Sequence, residues 1–398
     1  MKDATGSAGM PETYDAIVVG AGISGCSTAY HLKKGGMKRV LLIDREAGVA
    51  NGPTRESAAV VRMHYSEPVL VRMAMESRDM FIDMKVLLGK DGGFKQKGWF
   101  IAMPPEMMEA TQRNIDMQRK LGLKTSFLSE REIADKAPWL NTDGVGGLVY
   151  EPESGYADPV QTTEAFHHAF ESLGGESRFR TACRGMIRAA DQVAGIMLDE
   201  GPIAAGIVVN AAGPWSKFLA ATANLELQLR AVREQDAIWQ VRPNRPMPEC
   251  SFSTAIEAAY CRALGDGRFI LGLGYPKPYF DVDPYNYKRT MDDDFRMVAF
   301  EKNVKRLPNL KGAKFIEAYA SLYDITPDFY PFVGPRAGLS GYADYSGGSG
   351  HGFKIAPAIG RHLAQWLIDG RTTDEFAGLS YDRLAKGKLY GGLGGNRG

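Results

Sequence analysis

The sequence predicts an α/β fold with more than one domain, and three observations predict it. The chain opens on an apolar run that feeds a glycine-rich turn and then a stretch with helical spacing. A second apolar run, Ile207-Val-Val-Asn-Ala-Ala-Gly-Pro-Trp215, again ends in a small-residue turn. The 398 residues also exceed what a single hydrophobic core ordinarily serves.

The first element is Ala16 to Val19, a short β-branched run of the kind buried in a parallel strand. It runs into Gly20-x-Gly22-x-x-Gly25. Gly20 permits the tight turn, Gly22 lets backbone approach a pyrophosphate, and Gly25 lets helix and strand pack closely. The following CSTAYHLKKGG has helical spacing through Ala29 and Leu32 and stops at Gly35–Gly36. A second strand, Arg39 to Ile43, closes on Asp44, whose carboxylate is placed to accept ribose hydroxyls. Strand, glycines, helix, strand and acid in this order point to a Rossmann-like dinucleotide site. An acid at this position disfavours NADP and leaves FAD and NAD open. Further on, Gly265-Asp-Gly267 sits between two extended runs and reads as a hairpin turn. Met103, Met107 and Met108 read as core positions of a helical segment. Tyr279, Phe280, Tyr285 and Tyr287 read as a packed loop, and Asp292 to Asp294 as solvated surface.

Composition narrows the partners. Hydrophobic residues make up 44% and charged residues 24%, and 48 basic side chains face 47 acidic ones, for a net charge of +1. That balance gives no footprint for nucleic acid or an anionic membrane. No apolar run approaches the roughly 18 residues of a membrane span. The polar N-terminus does not read as a signal peptide. Cys26, Cys183, Cys250 and Cys261 lack C-x-x-C spacing, which suits a reduced, cytoplasmic protein. His31, His64, His167, His168, His351 and His362 show no metal-ligand spacing, so no metal is expected. The glycine-rich tail from Gly387 is expected to fray.

These motifs, with Tyr319-Ala-Ser-Leu-Tyr-Asp-Ile-Thr-Pro-Asp328, Pro331-Phe-Val-Gly334 and GGSGHGFKIAPAIGRHLAQWLIDG, resemble the FAD-dependent amino-acid oxidoreductases typified by D-amino-acid oxidase. Within that superfamily they look most like the sarcosine oxidase and dimethylglycine dehydrogenase branch. The resemblance spans most of the chain in collinear order and is thinner through 81–158 and 223–319. It implies a discontinuous FAD-binding domain over 1–80, 159–222 and 322–398. It also implies an α+β substrate domain on a mixed or antiparallel sheet over 81–158 and 223–321.

The resemblance also implies site residues. Contacts to FAD fall on Gly20, Gly22, Ile23, Ser24 and Gly25, on Asp44 and Arg45, and on Ser57 and Ala58. Further contacts fall on Ala211, Gly213 and Trp215, and on Gly348, Gly350, His351, Gly352, Phe353 and Lys354. The clamp for a substrate carboxylate falls on Arg62, in AAVVRMHY, and Lys354, in SGHGFK; Arg offers a bidentate fork and Lys a second charge. Tyr323 stands where glycine oxidase and D-amino-acid oxidase carry an arginine, which favours secondary and tertiary amines as substrates. Ser321 and Glu56 stand where relatives attach their flavin through cysteine or histidine, so a noncovalent FAD is expected. The lysine that sarcosine oxidase uses toward oxygen matches Gly272, and Lys277 is nearby but does not align.

The bare backbone of Gly347 to Gly352 is expected to lie against the flavin, with His351 beside it as a cation and Lys354 reaching past it. The expected reaction is hydride transfer from the α-C–H of a neutral amine, with no dedicated base, to give an imine that water hydrolyses. Sarcosine, dimethylglycine or iminodiacetate would be the substrate, with oxygen or another acceptor reoxidising a monomer or small homo-oligomer. Glycine or D-amino-acid deamination, NAD-dependent dehydrogenation and a non-catalytic FAD-binding subunit are the rival readings.

Overall fold

A computed structural model describes residues 12–391. The expectations for the N-terminal leader and for the tail beyond 391 fall on residues outside this range. Within it, the expected fraying from Gly387 is not what is found: Tyr390 stacks on Tyr330 with ring centroids 4.8 Å apart, and its N–H donates to Asp328 at 3.2 Å.

Two large sheets organise the chain. The first has Thr13–Val19 near its middle, flanked in parallel by Val40–Ile43 and Gly201–Asn210, with Glu176–Arg178 and Leu339–Ser346 continuing the parallel set. Antiparallel strands Gln192–Leu198 and Phe332–Arg336 complete it, and Gly185–Ala189 pairs off its path. Both faces of the central strands are buried, which is why the sequence reads as continuous apolar runs rather than alternation. Ala16, Val18 and Leu42 pack toward the helices Ile23–Lys34, Pro159–Ser172 and Ala356–Asp369. Ile17, Val19, Leu41 and Ile43 pack into a second core on the opposite face.

The second sheet runs Lys314–Ile325, Arg230–Gln240, Arg268–Leu273, Ala259–Gly265, Ser251–Thr254, Trp99–Met103, Gly147–Glu151 and Ser126–Phe127. It is antiparallel except where Ser251–Thr254 lies parallel to Trp99–Met103. Helix Asp293–Arg306 backs its apolar face, where Phe300 and Val304 meet Trp239, Phe269 and Leu271. The hairpin at Gly265-Asp-Gly is present, with φ of +91°, +54° and +72° across the three residues. A two-stranded ribbon, Val60–Val61 with Gly155–Tyr156, carries the chain between the two sheets.

Several local expectations are corrected. Met103 ends a strand rather than lying in a helix; only Met108 begins one, Met108–Lys120. In the loop after the hairpin, Phe280 is 72% exposed and so is not packed, whereas Tyr285 sets its ring edge-on to Trp215 and Phe218. Asp292 is more than solvated surface: it accepts from Lys288 at 2.6 Å and from Arg233 where helix Asp293–Arg306 begins.

Candidate active site

The two sheets face one another across a cavity of about 810 Å³, and the glycine-rich segments form one of its walls. At Gly20, φ is +110° and an added Cβ would lie 2.3 Å from the Ala211 carbonyl oxygen. At Gly25 an added Cβ would lie 1.8 Å from the Gly20 oxygen, so no other residue lets this helix sit against this strand. Gly25 therefore acts by packing and does not line the cavity, whereas Gly20, Gly22, Ile23 and Ser24 do. Helix Ile23–Lys34 starts at Gly22 without an acid in its first turn, and its first N–H, from Ile23, donates to the Thr54 hydroxyl at 3.3 Å. Its positive dipole end thus opens on the cavity, as a phosphate cradle requires.

Asp44 lines the same wall, but its carboxylate is already at work: Oδ2 accepts from Ala21 N–H at 2.6 Å and Oδ1 from Glu46 N–H at 2.8 Å. Burial raises its pKa and these two backbone donors oppose the rise. Arg45 lays its guanidinium 4.0 Å from the Trp215 ring centroid. Ser57, Ala58, Ala211 and Gly213 also line the cavity, and the Ser57 hydroxyl accepts from Ala59 N–H at 3.0 Å.

The opposite end collects the residues from near the C-terminus. Gly348, Gly350, Gly352, Phe353 and Lys354 line the cavity, with Lys354 in a 3-10 turn ahead of helix Ala356–Asp369. The Asp324 carboxylate accepts from Gly347 N–H at 2.7 Å and fixes this loop. Gly350 has φ +80° and an added Cβ would lie 2.4 Å from the Tyr323 ring, so the loop lies directly against that tyrosine. Arg62 is 4% and Lys354 6% exposed, and both line the cavity. Arg62 donates to the His64 carbonyl at 2.8 Å. Among the described residues no carboxylate pairs with Lys354. Burial first, then the Arg62 guanidinium, depress its pKa well below the ordinary lysine range.

The comparisons with known proteins bear on this geometry. The family model described as "DAO: FAD dependent oxidoreductase" matches residues 15–366. The chain belongs to this family. FAD-dependent oxidoreductase domain-containing protein 1 of Bos taurus is 28% identical over 90% of this chain and 82% of that protein. 4-Methylaminobutanoate oxidase (formaldehyde-forming) of Paenarthrobacter nicotinovorans is 26% identical, covering 97% of this chain but 47% of that protein. Mitochondrial sarcosine dehydrogenase of Homo sapiens is 25% identical over 94% of this chain and 42% of its own. The chain thus spans under half the length of these last two relatives. Among solved structures, L-proline dehydrogenase from P. horikoshii superposes with a TM-score of 0.86 at 26% identity, covering 96% of this chain and all of that one.

As a DAO-family flavoenzyme the chain takes FAD and acts on amine or amino-acid groups. The cavity fits that cofactor, with a phosphate cradle at Gly20–Gly25 and a wall stripped of side chains at Gly348–Gly352. Among the described residues no helix is long and apolar enough to cross a membrane.

One predicted residue needs correction. His351 does not line the cavity and is not a cation. Its Nε2 lies 2.7 Å from the Phe329 carbonyl oxygen and its Nδ1 3.3 Å from the Tyr65 hydroxyl. A carbonyl only accepts, so Nε2 carries the proton and Nδ1 accepts from Tyr65. Burial, then the charges of Lys354 and Arg62, push its pKa down to about 3. It is a neutral strut behind the glycine loop.

Sequence reasoning missed the polar face of the second sheet. Register places Tyr319, Asp236, Gly272 and Tyr260 side by side on four adjacent strands, and Ser321 beside Glu234. All of these except Gly272 line the cavity. An added Cβ at Gly272 would lie 2.3 Å from Asp236 Oδ1, so the bare position lets Tyr260 reach across to Asp236. Lys277 pairs with Glu234 at 2.6 Å, both buried, and its ammonium lies 5.9 Å from the Tyr323 ring centroid. The visible signal was the alternation Glu234-x-Asp236 against Tyr319-x-Ser321-x-Tyr323, which puts five polar side chains on one face of paired strands.

Proposed function

We propose that this protein oxidises the C–N bond of a small N-substituted amino acid, giving an imine that water hydrolyses to a carbonyl compound and an amine. The observation that carries the reading is the burial of Arg62 and Lys354 on the wall of the cavity that also holds the glycine cradle. Lys354 is buried beside the Arg62 guanidinium with no carboxylate paired to it among the described residues; it calls for an anion from outside, and a substrate carboxylate supplies it. When bound, FAD supplies the two-electron acceptor for the substrate's hydride.

The protein's residues bind and orient. Arg62 grips a carboxylate through its planar fork. Burial lowers the Lys354 pKa, and an arriving carboxylate opposes that shift and favours the ammonium form. Tyr323, fixed between Gly350 and the Lys277 ammonium, presents its ring where an additional arginine would otherwise bind the substrate. The chemical names of three relatives support the class: 4-methylaminobutanoate, sarcosine and L-proline are all carboxylates bearing a secondary amine. The flavin would be held without a covalent bond, since Ser321 and Glu56 stand at the attachment positions. Cys183 and Cys261 also line the cavity, but burial raises both thiols, Cys183 to about 11, which disfavours the nucleophilic thiolate.

Anaerobic titration of the FAD-loaded protein with sarcosine, dimethylglycine, L-proline, glycine and D-alanine tests the reading. Loss of the yellow absorbance with the N-substituted members is expected. Bleaching by glycine or D-alanine alone would replace it with primary-amine oxidation.

A further inference from the structure

The polar face of the second sheet has no role in the carboxylate clamp, yet it opens on the same cavity. Asp236 is 4% exposed and accepts from the Tyr260 hydroxyl at 2.5 Å through Oδ1. The Tyr319 hydroxyl stands 3.5 Å from Oδ2, at the outer limit of a hydrogen bond, so Oδ2 keeps accepting capacity. The neighbouring Glu234 is neutralised by Lys277 at 2.6 Å. Asp236 has no such partner: among the described residues no cation forms an ion pair with it. On the same face, in register with Glu234, the Ser321 hydroxyl is buried, lines the cavity and has no hydrogen-bond partner among the described residues. A buried carboxylate whose Oδ2 is held only by a long hydrogen bond, with a hydroxyl of the same sheet face lacking a partner, is a receptor with room for a donor.

We propose that Asp236, positioned by Tyr260 and Tyr319, receives the ammonium group of a zwitterionic amino-acid substrate and takes its proton. The inference rests on the function proposed above: the carboxylate goes to Arg62 and Lys354, and the nitrogen to the opposite wall. In the step, the substrate N–H bond breaks, an O–H bond forms on Asp236, and the nitrogen keeps its lone pair. No electrons leave the substrate at this stage. The expectation that no dedicated base is needed gives way to one. The same wall selects among substrates, since the Asp236 carboxylate opposes a second carboxylate; sarcosine or proline fits it and iminodiacetate does not.

The groups facing Asp236 are Tyr260 from one neighbouring strand, Tyr319 from the other, Glu234 on its own strand and Lys277 from the loop after the hairpin. Burial dominates them and raises the Asp236 pKa to about 7. A base must be ionised before it accepts, so kcat/KM of the wild type rises with pH through the neutral range and falls again once the free amine loses its proton.

Asp236→Asn keeps the shape and the acceptor for Tyr260 but cannot take a proton. Two readouts test it on the FAD-loaded protein. The first is binding of betaine, a permanently cationic and non-oxidisable N-substituted amino acid, against its neutral isostere 3,3-dimethylbutanoate. Wild type should prefer betaine by about ten- to a hundredfold, and Asp236→Asn should lose that preference. The second is the pH profile: the variant's kcat/KM should rise steadily toward the amine pKa, without the neutral-range limb. Equal preference for betaine in both proteins, or an unchanged profile, would overturn the proposal while leaving the function intact. If no amino acid bleaches the wild type, the function and this proposal fall together. Tyr260→Phe, which removes only a positioning hydroxyl, should shift the neutral limb to higher pH without abolishing it.

Discussion

The parallel-sheet wall and the antiparallel-sheet wall of this cavity are built from opposite materials. The first is bare: Gly20, Gly22, Gly348, Gly350 and Gly352 expose backbone, Asp44 accepts from backbone N–H groups of its own loops, and Lys354 is a charged side chain it keeps for the substrate. The second is dense in ionisable side chains, with Glu234, Asp236, Tyr260, Tyr319 and Tyr323 crowded onto one face. The difference teaches what each wall must recognise. A dinucleotide has the same phosphates and riboses whatever the reaction, and close approach of backbone suffices for them. A small substrate must be told from its neighbours by a few placed charges, and only side chains supply those.

The largest predicted effect breaks the bare wall. Gly25→Val forces a branched side chain into backbone 1.8 Å away and should yield protein that no longer retains flavin, read as loss of the yellow flavin absorbance. Gly48→Ala, whose added Cβ has its nearest neighbour at 3.6 Å, should leave flavin content and melting temperature unchanged. Next comes the clamp: Arg62→Ala should raise KM through loss of a charge-assisted pair worth about 2–4 kcal/mol, with flavin content unaltered. An unchanged KM would remove Arg62 from the site.

Where the two walls touch, the effect is intermediate. Gly350→Ala pushes against the Tyr323 ring and should lower kcat/KM by up to about a hundredfold while FAD still binds. Full activity would mean that the contact is slack. The smallest effect is on stability. The Lys354 pKa is depressed in the folded protein, so between its folded and unfolded values the unfolded chain binds more protons and stability rises with pH. Lys354→Met should therefore raise the melting temperature of ligand-free protein by about 2–4 °C per kcal/mol gained, more at lower pH. A drop would show that the ammonium is paired in the folded state.

The sequence made the first wall legible because glycine spacing and buried strands are local signals. Gly20, Gly22, Gly25 and Asp44 fall within one strand–helix–strand unit, and each can be read from its neighbours. The second wall is a product of register between strands far apart in the chain. Asp236 meets Tyr319 and Gly272 only once three strands pair, and Tyr260 reaches it only because Gly272 is bare. His351 was misread for a related reason. Its place in a glycine-rich loop suggested a cation near the cofactor, but its charge is decided by the Phe329 carbonyl and Tyr65, which come from elsewhere in the chain.

The account turns on where a substrate's carboxylate lies. A crystal structure of the FAD-loaded protein with betaine would show it directly. The carboxylate should sit within about 3 Å of both the Arg62 guanidinium and the Lys354 ammonium. A carboxylate bound away from both, with the two cations facing only protein or solvent, would contradict it.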